Sequence, residues 1–202
     1  MKLIHDPTPC LLHLLLLAEL FVHSSCRPTR SYSLCGTYGS MIPQVESLVN
    51  SSKKLHDLSG DELLNLAAAE NRLHGLPHMQ HTVAHLNALK VNESLSLLYV
   101  YTEAFRLHVD WLKTAQENFS LPSQAAEGAS AHLLKLSNLL NTSLQQMSEE
   151  VPQSPPPSLP VVSTAFDVLQ FSVEISERLK VFCIWSKRVL LKLQKSPHCP
   201  RH

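Results

Sequence analysis

Glycine is scarce in this sequence, and charge of one sign is not in excess. Only 5 of the 202 residues are glycine, and 17 basic side chains balance 17 acidic ones. So little glycine disfavours the tight hairpins of β-sheets and glycine-rich phosphate loops. Because the chain has no overall charge, we do not expect it to bind nucleic acid or to adsorb on an anionic membrane. Leucine and alanine recur at helical spacing, which predicts an all-α protein, and nothing indicates a cofactor.

Catalytic and metal-binding motifs are also missing. The sequence has no Gly-x-Ser-x-Gly nucleophile elbow, and its cysteines and histidines are too widely spaced for a structural zinc site. His81 and His85 are four residues apart and would share one face of a helix, but no HExxH glutamate or third ligand accompanies them. We therefore predict that the protein is not an enzyme and holds no metal.

Residues 1–25 have the order of a secretory signal peptide. Lys2 precedes a mostly apolar run at residues 11–22, and small residues follow the run. The run is about 12 residues long, whereas a membrane-spanning helix needs about 20. The alternative, a buried or anchoring N-terminal helix, is disfavoured by the prolines before and after the run. We predict that the signal peptide is removed and that residues 26–202 form one domain in the extracellular space, without membrane insertion.

Sequons for N-linked glycosylation support secretion. After the signal peptide they stand at Asn50, Asn92, Asn118 and Asn141. In the secretory pathway each can accept a glycan if its asparagine faces solvent. The set, taken with the signal peptide, predicts an extracellular glycoprotein.

Four segments repeat apolar residues in steps of three and four, which is the helical period. The first helix is predicted to begin at Pro43, a residue suited to a first turn, and to continue to about residue 65. Ser59 and Glu62 complicate this helix, because they could instead form a capping box for a second short helix.

The other three helices have clearer boundaries. Asn92 is the predicted N-cap of the second helix, and the third has a regular stripe from Ala126 to Met147. The fourth is predicted at about residues 163–194 and ends in a run of basic residues. That run matches the negative end of the helix dipole, and its alternative interpretation is a surface that faces a receptor.

A proline-rich segment at residues 149–162 decides the predicted topology. Its five prolines forbid a helix and favour an extended chain that reaches roughly 43 Å. A helix of about 21 residues is only roughly 32 Å long, so this segment can return along the whole bundle. The loop near residues 66–91 is long enough to do the same. Two long crossovers predict a long-chain four-helix bundle with up-up-down-down topology.

The cysteines outside the signal peptide are expected to oxidise outside the cell. They are Cys35, Cys183, Cys199 and, depending on the cleavage position, Cys26. In the predicted topology the start of the first helix and the end of the fourth share one end of the bundle. Cys35 can therefore pair with Cys183 or Cys199, and our hypothesis is a Cys35–Cys183 disulfide.

Several segments can be compared directly with a known family. They are LNALKVNESLSLLYVYTEAFRLHVDWLKTA from Leu86, LLKLSNLLNTSLQQM before the prolines PQSPPP, and the end of the fourth helix from Trp185. Phe166 and Trp185 also keep the family's spacing between two aromatic positions. These segments resemble the interleukin-11 family, whereas the first helix matches only through its leucine pattern and Leu76-Pro77.

The resemblance implies a secreted, monomeric cytokine that binds a specific receptor chain and then the signal-transducing receptor shared across the interleukin-6 family. It places Arg188 on the surface for the specific receptor, with Leu76 and Pro77 nearby. Faces of the first and third helices would meet the first shared receptor. Phe166 stands where the family has a tryptophan that anchors a second copy of the shared receptor. Its alternative role is to close the core.

The chain also departs from the family, which is strongly basic and lacks cysteines in its mature form. Ile184 stands where the family has an acidic residue before its tryptophan, so a charge pair with Arg188 is absent. The alternative function is a secreted lipid carrier, because amphipathic helices with wide apolar stripes also occur there. Against it, the dense lysine and glutamate flanks of that class are missing.

Overall fold

The computed structural model describes residues 34–56, 58–59, 62–63, 73–79, 88–153 and 155–196. None of these residues lies in a strand, and the long elements among them are α1 (Leu34–Ser52), α2 (Val91–Asn118), α3 (Gln124–Gln146) and α4 (Ala165–Gln194). The predicted all-α class is therefore confirmed. Within this part of the chain no helix is both long and apolar enough to cross a membrane. The predicted signal peptide, His81 and His85 lie outside the described residues.

Contacts between the helices give their directions. The end of α1 lies beside the first half of α4, and α2 runs against both α3 and α4, as shown by the pairs Ser52–Ser176, Glu46–Lys187, Asp110–Ser130, Trp111–Phe171 and Tyr101–Trp185. Between α1 and α4, and between α2 and α4, the residue number rises along one helix as it falls along the other. The hydrogen bond between Asn92 of α2 and Glu149, just after α3, shows the same for α2 and α3. Thus α1 and α2 point one way and α3 and α4 point the other way, and the predicted up-up-down-down bundle is confirmed.

The proline-rich segment joins the end of α3 to the start of α4 and has no regular secondary structure in its described residues. It crosses the loop before α2 at Gly75. The φ angle of Gly75 is 82°, and a Cβ atom there would lie 3.0 Å from Cβ of Pro157. Glycine is required at this crossing, both for the positive φ and for the close approach.

The first helix differs from its prediction at both ends. It begins at Leu34, so Pro43 lies inside it and not in its first turn. An interior proline costs about 3 kcal/mol, but Tyr38 and Met41 extend the buried stripe upstream and offset that cost. The helix ends at Ser52, and Leu55 turns back into the core.

Ser59 and Glu62 are hydrogen-bonded to each other, as the alternative interpretation of these two residues expects. The Ser59 backbone N–H and hydroxyl both donate to the Glu62 carboxylate, at 2.8 and 2.7 Å, and the Leu63 N–H donates to the Ser59 carbonyl. This is one half of a capping box, in which the N3 carboxylate satisfies an N-terminal donor. Residues 53–56, 58 and 59 are not helical, so the predicted continuous helix to about residue 65 was wrong.

The N-cap of α2 is Lys90, not the predicted Asn92. The Lys90 N–H donates to the Glu93 carboxylate at 3.0 Å, which satisfies the free donor at the helix start. The Asn92 side chain is used elsewhere, because its Nδ2 donates to Oε1 of Glu149 at 3.0 Å. The third and fourth helices agree with their predictions to within about two residues, the usual uncertainty of a helix end.

The Cys35–Cys183 hypothesis was wrong. Cys35 is disulfide-bonded to a partner outside the described residues, while Cys183 is free and fully buried. The pocket that Cys35 lines also contains Ser196, so Cys35 lies level with the end of α4. Cys183 is thirteen residues earlier, roughly 20 Å along the helix axis, and disulfide-bonded Cα atoms are no more than about 7 Å apart. The other predicted partner, Cys199, follows Ser196 by three residues.

We expect the Cys183 thiol to resist alkylation in the native protein. Burial raises its pKa from 9.0 to about 12, and only the thiolate is a good nucleophile. Iodoacetamide at pH 8 should therefore label Cys183 slowly in buffer and completely in denaturant. The unfolded thiol ionises near 9.0, so the same shift lowers the free energy of unfolding as the pH rises from about 9 toward 12. Rapid labelling of the folded protein would contradict the buried position.

Candidate functional site

The C-terminal half of α4 presents Arg188 to solvent. No described residue forms a hydrogen bond or ion pair with its guanidinium, whereas its neighbour Lys187 pairs with Glu46 of α1 at 2.7 Å. A guanidinium that no described residue binds keeps its five donors for a partner, as far as this part of the chain is concerned. The predicted site residue is therefore available for binding.

Three exposed apolar side chains share the Arg188 face of α4. Val181 and Ile184 are each 45% exposed and Leu191 is 36% exposed. With Arg188 they follow steps of three, four and three residues, so they lie in one row along the helix. Single exposed apolar residues are ordinary, but a contiguous row beside an arginine is typical of a binding surface. We call these four residues the Arg188 surface.

A second segment, residues 73–79, binds to α4 through hydrogen bonds to a buried ion pair that lies within that helix. Nη2 of Arg178 lies 2.9 Å from Oε1 of Glu174, and both side chains are less than one-sixth exposed. Nη1 of Arg178 donates to the Leu76 carbonyl at 3.0 Å, and the Leu73 N–H donates to the Glu174 carboxylate. We call the Glu174–Arg178 pair with its two backbone partners the clasp. It fixes the position of the segment, because each charged group also forms a hydrogen bond with the backbone of the segment.

The clasp corrects part of the predicted site. The Leu76 side chain is only 5% exposed and belongs to the core, so it cannot meet a receptor directly. Pro77 is half-buried, and its neighbours His74 and His78 are exposed. Arg178 is ten residues before Arg188, about 15 Å along the helix, so the segment and the Arg188 surface use different stretches of α4.

The start of α4 carries Phe166, which is 58% exposed. The N-cap of α4 is Thr164, two residues before Phe166. Its Oγ1 accepts from the Asp167 N–H at 3.1 Å, and its N–H donates to the Asp167 carboxylate at 3.0 Å. This capping box holds the first turn rigid. The alternative that Phe166 closes the core is not supported, since more than half of its surface remains in water.

A groove of about 560 Å³ lies toward the same end of the bundle. Val168 and Leu169 of α4 form part of its wall, and Asn50 and Gln116 stand at the ends of α1 and α2. Nε2 of Gln116 donates to the Leu55 carbonyl at 3.1 Å, while its buried Oε1 has no partner among the described residues. The groove is open to solvent and has both polar and apolar lining residues, and the described residues contain no cluster that could hold a metal.

The four predicted glycosylation sites fall into two groups. Asn50 and Asn118 are exposed, whereas Asn92 and Asn141 are only partly exposed. The four sites therefore differ in solvent exposure, which the sequence motif alone does not indicate.

Sequence reasoning missed the apolar members of the Arg188 surface. A signal for them existed, since Val181, Ile184 and Leu191 repeat at helical spacing beside the main apolar stripe of α4. The sequence alone does not tell which of two apolar rows on a helix is buried, because that depends on how the neighbouring helices pack against it.

Two comparisons with known proteins bear on the family of this chain. A search of the curated proteins finds no match to the chain. The sequence model of the family described as Interleukin 11 matches residues 28–197, which includes all four helices. The four-helix bundle and this match over most of its length lead to one conclusion: the chain belongs to the interleukin-11 family.

Proposed function

We propose that this chain is a secreted cytokine that binds a specific receptor through the Arg188 surface and a shared signal-transducing receptor through Phe166. The observation that carries the proposal is the presence of two exposed apolar surfaces at different ends of α4, on a bundle whose core is filled. Arginine and aromatic side chains dominate the binding energy of protein interfaces. Two separate surfaces of this kind suit a protein that brings receptor chains together.

The alternative of a lipid carrier has less support. Its helices would have to leave an apolar cavity or an open apolar face for the lipid. Here the inward stripes of the four helices pack on one another, and Leu98, Leu112, Leu136 and Leu179 are at most 1% exposed.

The proposed function is tested with the secreted protein on cells that express the specific and shared receptors. We expect receptor phosphorylation that rises with dose and disappears when either receptor is removed. Lipid extraction from the same preparation is the second measurement. If the protein carries a lipid in a fixed ratio and causes no receptor phosphorylation at any dose, the cytokine function is rejected in favour of the lipid carrier.

Phe166→Ala is expected to reduce signalling potency by roughly 10- to 30-fold without affecting folding. An exposed aromatic anchor contributes about 2 kcal/mol to a receptor interface, and about 1.4 kcal/mol corresponds to a factor of ten. Binding to the specific receptor should be unchanged, because Phe166 lies far from Arg188 along α4. The measurement is the dose that gives half-maximal receptor phosphorylation.

Phe166→Trp is the matched control for this prediction. Tryptophan restores the larger ring that the family has at this position, so potency should be kept or increased. Full potency of Phe166→Ala, or an equal loss in both variants, would remove Phe166 from the proposed receptor surface.

A further inference from the structure

A pocket of about 590 Å³ lies on the outer side of α2, between this helix and the two connections that cross at Gly75. We propose that this pocket binds a small organic cation that carries alkyl groups on its nitrogen, as a trimethylammonium compound does. Neither the Arg188 surface nor Phe166 contributes to its lining, so the site is separate from the proposed receptor surfaces.

The residues of α2 that line the pocket form an apolar floor between two aromatic side chains. Val100, Ala104 and Leu107 follow steps of four and three residues, so they lie in one row along the helix. At about 100° per residue, Tyr99 and Tyr101 lie on either side of that row, and both are half-buried. The pocket therefore has an aromatic ring at each edge of its floor.

The opposite side of the pocket is formed by the proline-rich segment and by the loop before α2. The described lining residues include five prolines, which are Pro77, Pro152, Pro155, Pro156 and Pro157. Because proline has no backbone N–H, these residues offer ring carbons and carbonyl acceptors but no donors. This side of the pocket therefore suits the alkyl groups of a cation and does not suit an anion.

The charge at the pocket is negative. Glu103 is the one charged side chain among the described lining residues. Its carboxylate accepts from Nη2 of Arg106 at 2.9 Å, but the same guanidinium also donates to Asp110 at 3.1 Å. Burial alone would raise the pKa of Glu103, but hydrogen bonds from Arg106 and Ser137 outweigh it and lower the pKa. One arginine therefore faces two ionised carboxylates, and the group keeps a net negative charge.

An alkylated ammonium group matches these surfaces together. Its positive charge is attracted to aromatic rings and to the carboxylate, and its alkyl groups pack on an apolar floor, which is how aromatic cages recognise such cations. Tyr101 is held in place for this role, because its ring meets that of Trp185 edge-on with centroids 5.8 Å apart. A metal ion would instead need several oxygen ligands, and the described residues contain no cluster of metal-binding side chains.

A free small molecule fits this position better than the headgroup of a membrane lipid. The large apolar side chains that are exposed on the described residues are Leu134, Val161, Phe166, Val181, Ile184 and Leu191. None of them lines the pocket, so the described surface beside it offers no apolar anchor for a bilayer. The pocket volume also lies within the range of about 300–1,000 Å³ that is usual for small-molecule sites. We therefore expect the cation to come from solution.

Choline is the probe, and its binding to the secreted full-length chain is measured by saturation-transfer NMR on its methyl signal. We expect a dissociation constant of about 1 mM, because so small a ligand has few atoms to contribute. The control ligand is the neutral carbon isostere of choline, in which a tert-butyl group replaces the trimethylammonium group. It has the same shape without the charge, so it should bind at least about tenfold more weakly. This comparison needs no variant and does not depend on the folding of one.

Variants of the aromatic and charged groups test the two attractive contacts separately. Tyr99→Leu should weaken choline binding by about fivefold or more, and the conservative variant Tyr99→Phe should restore it, because phenylalanine keeps the aromatic face. Glu103→Gln removes the charge at similar size and should weaken choline binding by a similar factor while the isostere is unaffected. Glu127→Gln is the matched control, because it makes the same change at an exposed position of α3 outside the pocket. The melting temperature of each variant checks that it is folded.

Equal affinities for choline and its isostere would overturn the proposal, because the pocket would then be selected by shape alone. Unchanged choline binding in folded Glu103→Gln, or an equal loss in Tyr99→Leu and Tyr99→Phe, would do the same. The source of the cation is tested with phosphatidylcholine vesicles. Cosedimentation with these vesicles in the absence of any binding of free choline would reject a soluble ligand.

Discussion

Replacing Arg188 by glutamate is expected to weaken binding to the specific receptor by about 30-fold or more. The guanidinium is exposed, is not paired with any described residue, and lies in the row formed by Val181, Ile184 and Leu191. Removing such an arginine from the centre of an interface costs about 2 kcal/mol, which corresponds to the stated factor. The reversed charge adds repulsion from any carboxylate that the receptor places opposite it.

The measurement is the equilibrium dissociation constant for the isolated receptor ectodomain, at physiological ionic strength. Lys135→Glu is the matched control, because it makes the same charge reversal at an exposed position of α3, which packs on α1 and α2. We expect this control to change the affinity less than twofold. Both variants should keep the free energy of unfolding to within about 0.5 kcal/mol, as surface substitutions do. Equal affinities for Arg188→Glu and the parent chain would exclude Arg188 from the interface.

Most of the fold followed from two features of the sequence. The stripes of the second, third and fourth helices predicted α2, α3 and α4 closely, because apolar periodicity reports directly which face is buried. The proline-rich segment predicted the parallel pair α3 and α4, because its length is needed only if the chain returns along the bundle. Both features are local in sequence, and neither depends on the details of packing.

The errors arose where tertiary packing overrode a local signal. Pro43 marked a helix start by its usual preference, yet burial of Tyr38 and Met41 keeps the preceding turns helical. Cys183 was placed near Cys35 by topology alone, which says that two helix ends meet but not at which turn. The position of Cys35 beside Ser196 is a matter of register, and register comes from the interlocking of side chains.

The candidate surfaces were predicted only in outline. The resemblance supplied Arg188 and Phe166, and both are exposed. It also supplied Leu76, whose side chain is buried while its carbonyl binds Arg178. A resemblance gives positions along a chain, whereas the position of the Leu76 segment against α4 depends on the clasp between Glu174 and Arg178. That clasp links residues about one hundred positions apart and leaves no local pattern.

The largest loss of stability is expected from Phe182→Ala. Phe182 is fully buried on α4, its ring centroid lies 4.9 Å from that of Phe105 on α2, and Trp185 contacts it from the next turn. Truncating a buried phenylalanine costs about 3–5 kcal/mol, from lost transfer free energy and from the cavity that remains. Since a domain of this kind is stable by only about 5–15 kcal/mol, this change removes a large part of the total.

The free energy of unfolding of Phe182→Ala, measured with urea, should therefore fall by about 3–5 kcal/mol, and the melting temperature by roughly 10 °C. Phe166→Ala is the matched control, because it makes the same substitution in the same helix at an exposed position and should cost no more than about 0.5 kcal/mol. The two variants then have opposite profiles: Phe182→Ala loses stability while its folded fraction keeps receptor affinity, and Phe166→Ala loses signalling while it keeps stability. Equal stabilities would mean that Phe182 does not fill the core, and an affinity loss in folded Phe182→Ala would mean that the receptor surfaces depend on packing between α2 and α4.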